Sequence, residues 1–213
     1  MNVRLRRHIG REEFDYPALM AALGEYANAS VKVTSLLRKG IIVRVKKGIY
    51  VFGEDYRLRP YSRELLANLV YGPSFLSLDY ALSYHGLIPE RVEQLTSVTT
   101  GRAREFKTPV GTFVYRRAPR GSFHLGMSRV EQGDASFLIA SPERSLADKV
   151  REDRSASVRS LGDAESYLFE DLRVDESAFR ELDPGFLNQL ADALGSRKVA
   201  YCAKLLHKIR RRQ

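Results

Sequence analysis

The segment LLRKGIIVRVKKGIYVF, residues 36–52, sets two β-branched apolar runs on either side of a basic tip, Lys46-Lys47-Gly48. IIVRV and GIYVF alternate inward and outward residues, and glycine in the second turn position supports a tight hairpin. One face of such a hairpin suits a core. Arg44, Lys46 and Lys47 cannot follow it there, because burying an unpaired charge is costly. The hairpin is therefore expected to pack one face on neighbouring helices and to turn its other face and tip toward a phosphate backbone.

Working outward, NASVKVTSLLRKG (28–40) predicts a short helix. Asn28 or Ser30 caps its start, and Gly40 suits the left-handed residue just past its end. Val33, Leu36 and Leu37 stand at i, i+3 and i+4, which makes one buried face. Lys32, Ser35 and Lys39 line a second face, with Thr34 and Arg38 at its edges and no carboxylate among them. Before it, FDYPALMAALG predicts an earlier helix, capped by Asp15 or Tyr16, with Pro17 at the favoured first position. Leu19, Ala22 and Leu23 face inward, and Gly24 ends the helix.

Two short helices followed by a hairpin make a winged helix-turn-helix, expected over residues 1–58. Its second helix would read bases in the major groove of double-stranded DNA through Lys32, Thr34, Ser35, Arg38 and Lys39. The wing cations Arg44, Lys46 and Lys47 would contact phosphates and fix register. The bland alternative, a winged helix used for protein contacts, does not require a one-sign helix face and a basic tip to coincide.

Charge placement supports the nucleic-acid reading. The 213 residues carry a net charge of +9. Residues 1–60 contribute +6, residues 61–196 contribute −4, and residues 197–213 contribute +7. Basic ends around a mildly acidic middle suggest a polyanion-binding end. For the last residues, RRRQ, a solvated basic tail is the simpler reading. No apolar run is long enough for a membrane helix, and the start MNVRLRRHIG lacks the apolar stretch of a secretory signal. One cysteine, Cys202, excludes an internal disulfide and fits a cytoplasmic protein. That cysteine and four scattered histidines (His8, His85, His124, His207) provide no structural zinc cluster.

The remainder, 59–213, reads as a mixed α+β domain. SRELLANLVYG and FLSLDYALSYHGLIPE predict helices, the first with Leu65, Leu66 and Leu69 on one face, the second capped by Ser77 and ended by Gly86. From Leu95 the period changes to two: LTSVTT, Phe106, GTFVYRR and ASFLIA predict strands of a small, mainly antiparallel sheet. SPERSLADKV begins a helix at Ser141, and the rest is helical by spacing. Arg102, Arg104 and Lys107 gather in one turn, a second candidate nucleic-acid contact whose plainer explanation is a charged hairpin loop.

Catalysis is not expected. Ser141, His85 and Asp79 can be written as a triad, but no G-x-S-x-G supports it. His85 beside Gly86 suits a helix C-terminus, Ser141 a helix cap, and Asp148 and Lys149 a solvent-facing or locally paired position. No P-loop or G-x-G-x-x-G turn implies a nucleotide cofactor.

The ordered set KKGIYVF, FLSLDYALSYHGLIPE, LTSVTTGRAREFKTPVGTFVYRR and IASPERSLADKV, spanning roughly residues 14–150, resembles the AbiEi family. These are antitoxins and transcriptional regulators of AbiE-type abortive-infection, or type IV toxin–antitoxin, systems. ALSYHGLIPE and SPERSLADK are the most telling pieces. The resemblance implies an N-terminal domain that represses its own operon by binding inverted repeats in the promoter. It also implies a C-terminal domain that counteracts a nucleotidyltransferase-like toxin without forming a stable complex with it. The basic helical end after residue 155 has no counterpart in that pattern. Two other readings compete: a ligand-sensing winged-helix transcription factor, and an enzyme tethered to DNA.

Overall fold

The computed structural model describes residues 3–24 and 26–211. The N-terminal unit runs α1 (Val3–His8), β1 (Glu13–Asp15), α2 (Tyr16–Ala22), α3 (Ala29–Arg38), β2 (Ile42–Lys46) and β3 (Ile49–Phe52). Asp15 caps α2 as expected, its carboxylate accepting from the Ala18 N–H at 2.9 Å, with Pro17 in the first turn. Asn28 precedes α3 without a side-chain bond, and Ser30 lies inside the helix, so neither caps it through its side chain. Gly40 takes the left-handed conformation (φ +65°). Strands β1, β3 and β2 form an antiparallel sheet in that order. Leu5, Phe14, Leu19, Leu23, Val33, Leu36, Ile42, Tyr50 and Phe52 bury together between this sheet and the helices.

Gly53 closes the unit. A Cβ there would lie 1.8 Å from the Gly40 carbonyl oxygen, while its N–H donates to Ile41 O at 3.0 Å. Only glycine lets the strand end approach the turn after α3 so closely.

Beyond the linker come α4 (Arg63–Val70), β4 (Ser74–Leu76), α5 (Leu78–Tyr84), β5 (Leu95–Thr99), β6 (Arg104–Thr108), β7 (Gly111–Arg117), β8 (Met127–Gln132), β9 (Ala135–Ala140) and α6 (Pro142–Glu152). Helices α7 (Leu161–Ser166), α8 (Glu176–Glu181), α9 (Pro184–Leu194) and α10 (Arg197–Arg210) complete the chain, α7 running on as a π-helical turn over Tyr167–Asp171. The molecule is thus α+β. Its main sheet is larger and more mixed than expected: six strands in the order β6-β7-β5-β4-β9-β8, with β5–β7 and β4–β9 parallel. On α4 the inward residues are Leu66, Ala67 and Val70, whereas Leu69 is exposed.

Two further cores organise this region. Phe75, Leu95, Phe113, Tyr115, Phe137 and Ile139 bury around the sheet, and Leu146, Leu168, Phe179, Leu187, Leu190, Cys202 and Leu206 bury among the helices. Val45 and Val51 of the N-terminal hairpin belong to the sheet's core. The linker is fixed as well: Glu12 accepts from the Leu58 N–H, and Glu13 from the Ser62 N–H, both carboxylates being buried.

Candidate nucleic-acid interface

Helix α3 forms because Val33 and Leu36 bury at helical spacing while its outer residues are short or cationic. The outward stripe is Val31, Thr34, Ser35 and Arg38, at i, i+3, i+4 and i+7; Val31 is 64% exposed. Thr34 Oγ1 donates to Ser30 O at 3.2 Å, which commits the hydroxyl to the helix backbone and leaves the exposed side chain its methyl group. Lys32 and Lys39 stand on the shoulder of this stripe. Lys39 is exposed, and the Lys32 ammonium lies 4.7 Å from the centre of the Tyr26 ring, a cation–π contact that holds it half-buried. The helix has no carboxylate, and every charged residue on it is a cation. Val31 was missed by sequence reasoning because an apolar residue two positions before Val33 reads as an edge of the core.

The hairpin is where the structure departs most from expectation. Arg44 pairs with Tyr50 and stays exposed, its guanidinium 5.8 Å from that ring. Strict alternation would put Lys46 on the same face as Arg44. A register shift between them turns Lys46 to the opposite face instead. There its ammonium donates to Val70 O at 2.7 Å, the last carbonyl of α4, and lies 4.5 Å from the Phe106 ring centre and 5.7 Å from that of Tyr71. Lys46 is therefore a clamp between the two units and leaves the phosphate-facing set. The second hairpin face is likewise covered: Val43, Val45, Ile49 and Val51 pack on the sheet's core and face no phosphate. Lys47 alone of the two tip lysines is exposed, beside Gly48 at φ +90°.

That clamp brings the second candidate cluster to the hairpin. Phe106 is on β6, one of the two edge strands of the main sheet, and the Arg104 guanidinium lies 5.7 Å from the same Tyr71 ring that Lys46 approaches. Arg102, Arg104 and Lys107 are all exposed, with Lys107 paired to Glu105 at 3.8 Å. The N-terminal hairpin and the β6 edge thus share one neighbourhood through Tyr71.

The triad written on paper is not assembled. His85 Nε2 sits 2.7 Å from Ala140 O, Asp79 pairs with Lys149 at 2.6 Å, and Ser141 caps α6 by accepting from the Arg144 N–H at 3.2 Å. Of the two positions expected for Asp148, the locally paired one holds and the solvent-facing one does not: it is 1% exposed and pairs with Arg144 one turn earlier. It accepts from Arg144 Nε at 2.9 Å and from Ser77 Oγ at 2.8 Å, which also explains why Ser77 makes no cap bond to α5. Fully buried Arg144 donates in turn to the carbonyls of Ser122 and Leu125. The SPERSLADK motif is in this way a structural knot: cap, buried ion pair and surface pair in one helix. Among the described residues no group of three or more His, Cys, Asp or Glu is placed to hold a metal ion. None of the described helices is long and apolar enough to cross a membrane.

The C-terminal basic segment is a packed helix as far as Arg210. Leu205 and Leu206 are buried, Lys198 donates to Asp153 O, and Arg210 Nε donates to Arg180 O at 2.9 Å. Of RRRQ, Arg212 and Gln213 lie outside the described residues. No protein-family model matches the chain, and no curated protein sequence matches it.

Proposed function

We propose that this chain is a winged helix-turn-helix repressor that binds double-stranded DNA. The observation that carries the reading is the carboxylate-free outer face of α3, in a unit whose hairpin tip exposes a further cation, Lys47. The order helix, strand, helix, helix, strand, strand, with β1 pairing β3, supports a winged helix. In this reading Thr34, Ser35 and Arg38 approach base edges. Lys32, Lys39, Arg44 and Lys47 approach phosphates, and Arg102 and Arg104 continue the contact along the β6 edge.

The resemblance to AbiEi proteins extends the proposal. The chain represses its own operon through inverted repeats and acts as the antitoxin of a type IV system, opposing a nucleotidyltransferase-like toxin without a stable complex. Gel shifts on its own promoter test the first part: Lys39→Glu and Lys47→Glu each weaken binding, and undiminished binding by both removes it. With about five phosphates neutralised, log affinity falls against log salt with a slope of roughly −4 to −5. Rescue of cells expressing the neighbouring toxin gene, lost on C-terminal truncation, tests the second part.

One observation favours a ligand-sensing regulator as the second reading. A polar cleft of about 590 Å³ lies between α5, β5, β7 and α6, lined by Asp79, Thr96, Arg116, Lys149 and Arg154. Leu78 in its wall holds φ +59°, a left-handed conformation that costs a bulky residue about 1–3 kcal/mol and is held there by its surroundings. A small molecule that shifts operator affinity, with no toxin gene nearby, would favour this reading over the antitoxin.

A further inference from the structure

We propose that α3 selects thymine: Val31 and Thr34 set their methyl groups against thymine C5-methyls in the major groove. This rests on the DNA-binding reading above and adds the chemistry by which the helix discriminates sequence. Thymine is the base that shows a methyl group in that groove, and apolar side chains recognise it by contact.

Three observations converge. Val31 is 64% exposed at the N-terminal end of the outward stripe, one turn before Thr34 and Ser35 and two before Arg38. Thr34 has its hydroxyl bonded to Ser30 O, so its methyl extends the apolar strip started by Val31. The charged residues that flank the strip, Lys32, Arg38 and Lys39, are all cationic. A single exposed valine on a mixed surface needs no explanation. An apolar strip edged by one sign of charge is complementary to a polyanion that carries apolar groups, and duplex DNA is such a partner. A protein surface would have to bring carboxylates to those three cations around an apolar centre.

The experiment uses the full chain and its own promoter fragment, with protected positions located by footprinting. Each thymine in the protected region is replaced singly by uracil, which keeps every hydrogen-bonding edge and removes the methyl alone. At one or two positions per half-site, wild-type affinity falls about three- to fivefold, the loss expected for one buried methyl contact. Val31→Ala loses a similar factor on unmodified DNA and nothing more on the uracil fragment at its own position. Thr34→Ser, which keeps the hydroxyl, does the same at a neighbouring position, and both variants keep the wild-type salt slope. Specific, salt-dependent binding that is indifferent to every uracil would overturn this inference and leave the repressor reading standing. Absence of DNA binding, or capture of α3 by an acidic protein surface in its place, would overturn both.

Discussion

Lys46 and Lys47 are adjacent, identical in chemistry, and opposite in role, so they can be separated experimentally. On the proposed DNA-binding reading, replacing Lys47, exposed at the hairpin tip, by Ala removes one phosphate contact. Each such contact contributes about 0.9 to the log–log salt slope, so a fourfold rise in salt costs the wild type about 500-fold in affinity and the variant about 150-fold. Its stability is unchanged, since no buried group is lost. Lys46→Met keeps the aliphatic stem but removes the ammonium that caps α4 at Val70 O and lies over Phe106. A charge-assisted hydrogen bond of about 1.5 kcal/mol and a cation–π contact of about 1 kcal/mol are lost together. At a urea m-value of about 2 kcal/mol/M this moves the unfolding midpoint down by about 1 M, with the salt slope unaltered. Urea titration followed by circular dichroism and salt-dependent fluorescence anisotropy on the promoter give both numbers. If Lys46→Met instead flattened the salt slope and left the urea midpoint in place, the clamp would be wrong and the hairpin's second face would lie on DNA.

Asp148→Asn strands the fully buried Arg144 guanidinium and destabilises by about 3–5 kcal/mol, whereas Arg144→Met with Asp148→Leu recovers most of it; equal losses in chemical unfolding would refute a coupled pair. Burial pushes the Asp148 carboxyl above its ordinary 3.8, against the pull of Arg144 and Ser77. Burial also pushes the Cys202 thiol up to about 12, so a disulfide reagent at pH 8 should label it only in denaturant; rapid labelling of the native chain would contradict its position among the helices. Gly53→Ala forces a Cβ into Gly40 O and costs about 3 kcal/mol, read as a lowered melting temperature; a neutral result would mean that the turn after α3 can move aside.

How far the sequence carries the fold depends on where each signal resides. Asp15, Gly40, Gly48 and Ser141 are local devices, and helices α2 and α6, the turn after α3 and the hairpin follow from them. GTFVYRR and ASFLIA match β7 and β9 residue for residue. Strand β8 was not visible because MSRVEQ has little apolar alternation on a sheet edge, and β4 because three residues are too few to show a period. On the site, the α3 cations and Lys47 stand exposed or half-exposed where residue type suggests. The displacement of Lys46 needed a bulge, which no residue in IVRVKKGIYV announces. Asp148 was expected to face solvent or to pair locally, and it pairs locally but in the interior. Its partners in the interior are the Ser77 hydroxyl and Arg144, itself held by the Ser122 carbonyl, and both Ser77 and Ser122 are far away in the chain.

The hairpin has no independent seat. Ile42, Tyr50 and Phe52 anchor it to one core and Val45 and Val51 to another, so a shift of the main sheet carries Lys47 along. If the chain binds an operator as proposed, then by thermodynamic reciprocity anything held by the C-terminal half that prefers one hairpin placement alters operator occupancy by some factor, and the operator alters its retention by the same factor. Cutting the chain after residue 58 would then strip a valine face bare rather than liberate a self-sufficient reader of DNA.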